Sequence, residues 1–154
     1  GTAPDPDGWA PRSAPEAFRP LLWKALRRVW GRWNPVHCPE NLEKAEPLQT
    51  GPGDLVFQAA FQDRGGRWVV AVGLDPDRYR CDGVMDPEWS GHWFLVVGDR
   101  TSFLGRELAW VEAGDFGGTG SSDVLFSQTG YNQDGYVLWS DGLTRKAVVS
   151  WSYH

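Results

Sequence analysis

The clearest periodic signal lies between residues 20 and 33. In "PLLWKALRRVWGRW" the apolar residues fall at 21, 22, 25, 26, 29, 30 and 33, the 3.6-residue spacing of a helix with one apolar side. Leu22, Leu26, Val29 and Trp33 lie close to one stripe, and Lys24, Arg27, Arg28 and Arg32 cover the opposite side. Upstream, Ser13 stands three residues before Glu16, the spacing of a capping box. A helix over 14–33 is therefore predicted, kinked at or starting from Pro20 and ending near Gly31. Its apolar stripe is expected to pack on its own domain. The other use for a basic amphipathic helix is docking to an anionic partner.

Beyond a Pro- and Gly-punctuated loop the period changes. In "LVFQAAFQ" Phe57, Ala59 and Phe61 alternate with Gln58 and Gln62, the pattern of a half-buried strand. "DRGGR" supplies a turn, "WVVAVGL" a second strand and, after a long polar loop, "HWFLVV" a third. The last third holds four strand-like runs, "ELAWVEA", "DVLFSQT", "YVLWS" and "AVVSWSYH". Each connector carries Gly with Asp or Asn, residues that accept tight-turn geometry, and Asp134-Gly135 and Asp141-Gly142 are hairpin signals. No connection here is long enough for a parallel crossover. The fold class expected is mainly β (α+β). It would be an antiparallel meander sheet of about seven strands with the helix packed on it. The domain plan is a flexible leader, 1–12, and a single domain, 13–154, with strands over 54–97 and a four-strand meander over 107–153.

Composition adds bounds. A chain of 154 residues suits one domain with a real core. The formal charge of −5 argues against nucleic acid as a partner. The ten Trp are expected mostly in the core, because the chain has no Ile and must fill its interior with Val, Leu and aromatics. No apolar run is long enough for a transmembrane helix. The opening stretch, rich in Pro, Gly and Ala, reads as flexible. Cys38 and Cys81 form an even pair, which fits a disulfide in an oxidising compartment. Closing that loop would stabilise the fold by roughly 4 kcal/mol at most. Two buried thiols are the alternative.

The segment 113–126, "AGDFGGTGSSDVLF", brackets Gly, Thr and Ser between Asp115 and Asp123. Gly114-Asp115-Phe116, then Gly120, then Asp123-Val124-Leu125, then Gly135 with Tyr136-Val137-Leu138, resemble one unit of the FG-GAP, or VCBS, repeat. Such repeats form blades of integrin-alpha-type β-propellers. The resemblance covers roughly the last 45 residues. It implies a blade-like meander, a calcium loop and a secreted or surface setting. Gly117 and Thr119 replace two acidic or amide positions of the family loop. Asp115, Asp123 and the Thr119 hydroxyl supply two carboxylates with no third charge, so calcium binding would be weak. The alternative is an ion-free loop whose Asp side chains accept hydrogen bonds from loop N–H groups.

Other chemistry is sparse. His37, His92 and His154 have no metal-ligand spacing. Neither a phosphate loop nor a nucleophile elbow occurs. The polar loop 75–93 gathers Asp82, Asp86, Glu88, Trp89 and Trp93, and acids beside Trp suit a glycan-binding patch or a glycan-cleaving pair. The expectation is a secreted or periplasmic, non-enzymatic binding domain for a protein or glycan. Its contact residues would be Trp89, Trp93, Tyr131, Asn132 and Asp134. The alternative is a small secreted hydrolase using Asp82, Asp86 or Glu88.

Overall fold

The computed structural model describes residues 3–31, 49–75, 91–130 and 132–153. One helix and nine strands are seen among them. Helix α1, Phe18–Trp30, is shorter than the 14–33 expected. Pro20 falls in its first turn, where a missing N–H costs nothing. No side chain caps its start. Glu16 pairs with Arg19 instead of closing a capping box with Ser13. At the other end Gly31 takes φ 61° and donates its N–H to the Arg27 carbonyl.

The strands make two sheets, five and four strands wide, where a single sheet of about seven is expected from the sequence. The first sheet runs in chain order: β1 (Ala10–Pro11), β2 (Leu55–Gln62), β3 (Trp68–Leu74), β4 (His92–Val97) and β5 (Arg100–Arg106). The second is β6 (Leu108–Gly114), β7 (Asp123–Gly130), β8 (Gln133–Ser140) and β9 (Arg145–Ser152). Every pairing is antiparallel. Glu107 alone, at φ 58°, carries the chain from the first sheet to the second. The four-strand meander expected over 107–153 is therefore observed, in order.

The molecule is layered as helix, sheet, sheet. Leu22, Ala25, Leu26 and Trp30 of α1 pack on Val70, Val72, Leu74, Phe94 and Val96. The other face of the same strands supplies Val69, Ala71, Trp93 and Leu95 to a second core with Val124, Phe126 and Val137. Covered on both faces, β3 and β4 show no polar alternation. That explains the unbroken runs "WVVAVGL" and "HWFLVV". The second core is largely aromatic. Phe61 stacks on Trp110 at 3.8 Å, and Phe126 meets Trp93 and Trp110 edge-on at 5.0 and 5.8 Å.

Two differences from the sequence-based picture have physical causes. β5, "RTSFLGR", was missed because it is a polar edge strand. It pairs with β4 after a tight Gly98-Asp99 turn, with Gly98 at φ 61°. Asp134-Gly135 is not a turn, since both lie within β8. Glycine is required at 135 by the close approach of β9. A Cβ there would sit 2.4 Å from the Val149 carbonyl oxygen.

Over its described residues the leader 1–12 is tied down rather than flexible. Trp9 is buried in the second core. Asp5 accepts from the N–H groups of Gly8 and Trp9 and from the Ser122 hydroxyl. Asp7 accepts from the Ser122 N–H, and its own N–H donates to the Ser122 hydroxyl. Arg67 joins Asp7 at 3.2 Å to Asp63 at 2.7 Å.

Candidate functional site

The loop 115–123 is closed by its own backbone. Asp115 carboxylate oxygens accept from the N–H of Thr119 at 2.8 Å and of Gly120 at 2.9 Å. The Gly120 N–H, then that of Thr119, hold the Asp115 carboxyl below the usual carboxylate range. Asp123, buried, accepts from the Gly117 N–H at 3.2 Å. Among the described residues no three His, Cys, Asp or Glu converge as metal ligands. Both carboxylates are engaged by N–H donors of the loop.

The sequence-derived contact residues separate. Cys38, Cys81, Asp82, Asp86, Glu88, Trp89 and Tyr131 lie outside the described residues. Trp93 is buried, and its indole N–H donates to the Leu108 carbonyl at 2.9 Å. Its ring lines a cavity of about 330 Å³ between the sheets, together with Phe61, Trp110, Leu108 and Gln58. Trp93 packs there against Phe61, Trp110 and Phe126. His92 is likewise buried at the start of β4.

Asn132 and Asp134 fall on a different surface, the outer face of the second sheet. Phe126 and Val137 are buried toward the first sheet. By strand alternation, Asp134, Tyr136 and Leu138 of β8 point away from it. Val137 pairs with Val148, so Ala147, Val149 and Trp151 of β9 point outward too. Tyr136, Trp151 and Tyr153 are each about half exposed, and Val149 is 67% exposed. The Tyr136 and Trp151 rings lie 6.0 Å apart at 48°. The Tyr153 hydroxyl donates to Asp134 at 3.3 Å. The Asp134 charge, above all, raises the Tyr153 phenol above its ordinary range. Asn132, at φ 54°, ends this aromatic strip.

The same face carries a second hollow at its other end, with both apolar and polar side chains in its lining. A cavity of about 230 Å³ is lined by Phe116, Asp123, Leu138, Ser140, Asp141 and Arg145. Arg145 and Asp141 pair across 3.6 Å on its rim. From Asp134 to Ser140 along β8 is ~20 Å. The face thus presents aromatic rings at one end and hydroxyl, carboxylate and guanidinium groups at the other.

Sequence reasoning missed Tyr136, Trp151, Tyr153, Phe116 and Arg145 as site residues. The signal existed in β9, where Val149, Trp151 and Tyr153 alternate with Ser150 and Ser152. Period alone assigns that apolar series to a core. Register with Val137 sends it outward. No family model, curated protein or solved structure matches this chain.

Proposed function

We propose that this domain is a non-enzymatic binding module for a glycan, with the outer face of the second sheet as its contact surface. The observation that carries the reading is the continuous strip from Tyr136, Trp151 and Tyr153 to the hollow at Ser140, Asp141 and Arg145. Aromatic faces receive the apolar C–H faces of sugar rings, and partnered polar groups at fixed positions read hydroxyls. Asp123, Asp134 and Asp141 already hold Gly117, Tyr153 and Arg145. Pre-set acceptors of this kind suit recognition more than proton transfer. The hydrolase alternative rests on Asp82, Asp86 and Glu88, which lie outside the described residues.

Affinity electrophoresis through a panel of soluble polysaccharides tests this. At least one should retard the protein, and Trp151→Ala or Tyr136→Ala should weaken binding by about tenfold, ~1.4 kcal/mol. Retardation by none, or binding untouched by either change, would remove the proposal. The proposed setting is secreted or periplasmic. Thiol labelling with and without reductant should then find Cys38 and Cys81 oxidised in protein recovered from that compartment.

A further inference from the structure

We infer that β9 is a dimerisation edge, on which two copies of this chain pair antiparallel to make one eight-stranded outer sheet. This inference does not depend on the ligand proposed above. It starts from what sheet edges need. An exposed, regular edge strand invites pairing, and proteins that stay single blunt such edges with bulges, prolines, charges or a covering segment. Here β2, the β4–β5 pair and β6 all carry register shifts. The β1 edge is two residues long and includes Pro11. Just beyond β6, the N-terminal segment is hydrogen-bonded to the chain, Asp115 donating to the Pro4 carbonyl. Among the described residues β9 has no bulge, no proline and no covering segment, and its only charges, Arg145 and Lys146, sit together at one end. It pairs with β8 without a break from Arg145 to Ser152, all eight of its residues are exposed, and it contains no Pro and no acid.

The ladder tells which backbone groups are open. The Tyr153 N–H donates to the Asn132 carbonyl, so residues 153, 151, 149, 147 and 145 form the hydrogen-bonded pairs with β8. Lys146, Val148, Ser150 and Ser152 therefore aim their N–H and C=O groups at the open edge. One antiparallel register between two copies engages all four. Its twofold axis passes through Val149, so that Lys146 meets Ser152 of the other copy and Val148 meets Ser150.

Side chains agree with that register. On the outer face Val149 meets its counterpart, and the small Ala147 lies opposite the large Trp151. Arg145 lies opposite Tyr153, whose hydroxyl already holds Asp134. Each end of β9 thus sets its cation against an aromatic ring and a carboxylate of the other copy, and no like charges face each other. The alternating Val149, Trp151 and Tyr153, exposed on a single chain, gain neighbours from both copies. Because the axis is perpendicular to the sheet, both outer faces stay on one side.

Sedimentation equilibrium across a concentration series, with residue-specific crosslinking, tests the inference. The wild-type mass should rise to about twice that of one chain as concentration increases. Val149→Lys alters an already exposed side chain and sets two cations across the axis, so it should hold the protein at the single-chain mass, with the melting curve the wild type shows when dilute enough to be single. Ser150→Pro removes an N–H that β8 does not use and should do the same. Under mild oxidation Val149→Cys should crosslink to itself, since residues opposite each other in a non-hydrogen-bonded pair lie ~4.5 Å apart at Cα. Ala147→Cys, whose two copies would be ~13 Å apart, should not. Peptide mapping distinguishes this link from any made by Cys38 or Cys81. A wild-type protein that stays single at every concentration overturns the inference. So does a dimer that survives Val149→Lys, or one in which Ala147→Cys crosslinks and Val149→Cys does not.

Discussion

Asp115 shows how much one half-buried carboxylate can organise. It gathers the N–H groups of Thr119 and Gly120, and those donors lower its pKa. The sign of the pH effect follows. A carboxyl whose folded pKa is depressed adds stability that is complete above its unfolded pKa. That stability is lost as pH falls through the lower folded value. Amide exchange at Thr119 and Gly120 should therefore accelerate as the solution is acidified through the carboxylate range. Asp115→Asn should flatten that dependence. Millimolar calcium should leave the melting midpoint unchanged, because Asp115 and Asp123 bring two carboxylates and no third charge to the loop. Tyr153 moves the other way. Its pKa is raised by the neighbouring Asp134 charge, so Asp134→Asn should let the Tyr153 phenol ionise at lower pH in an ultraviolet or NMR titration. The acidic loop was legible in the sequence, and so were its two possible uses, ion and turn. Which N–H groups the carboxylates face was not, because that depends on glycines at φ 67° and 86°, Gly118 and Gly120, that aim the loop.

At the scale of elements, the N-terminal segment is the instructive case. Its composition is that of a linker, yet the described residues from Ala3 to Pro11 are threaded between the β2–β3 hairpin and the 115–123 loop. Ser122, 1% exposed, is the node, bonded to both Asp5 and Asp7. Ser122→Ala strips a buried acceptor and donor from two aspartates. It should cost about 1–3 kcal/mol in chemical denaturation, with increased protease cleavage before Trp9. Helix α1 shows the opposite outcome. The Leu22 and Leu26 stripe read from period 3.6 is the stripe that packs on the first sheet. Arg28 reaches Thr101 of β5 from its polar side. Local pattern sufficed for the helix because one face is enough to place it. For residues 3–11 the partners lie on the distant β2–β3 hairpin and on the still more distant 115–123 loop, and no local pattern encodes them.

For the whole molecule, the decisive surface is the contact between the two sheets. Phe126 is fully buried there and touches Trp93 and Trp110 from the opposite layer and its own. Phe126→Ala leaves a cavity that rings cannot refill, and should destabilise by about 3–5 kcal/mol in denaturant melts while retaining the β-sheet signal of what remains folded. If the two sheets share one core, the loss should appear as one cooperative transition shifted to lower denaturant, not as the release of one sheet alone. The layer order also explains why a single sheet was expected. Seven of the nine strands carry a recognisable pattern, but only the single-residue step at Glu107 turns the chain from one sheet to the next. Nothing in its neighbours' periodicity marks it.

Periodicity by itself determined the helix and its buried stripe. It also determined the strand character of 55–62, 68–74 and 92–97 and the in-order meander that ends the chain. These are local or nearest-neighbour properties, settled by spacing and by the residues that turns accept. Tertiary structure decided everything that depends on which side of a strand faces inward. Val137 and Phe126 claim the interior, so Val149, Trp151 and Tyr153 are left outside, although their alternation with serine reads as a buried edge. A period of two fixes that side chains alternate. Only the packing of one sheet on another chooses which set is covered.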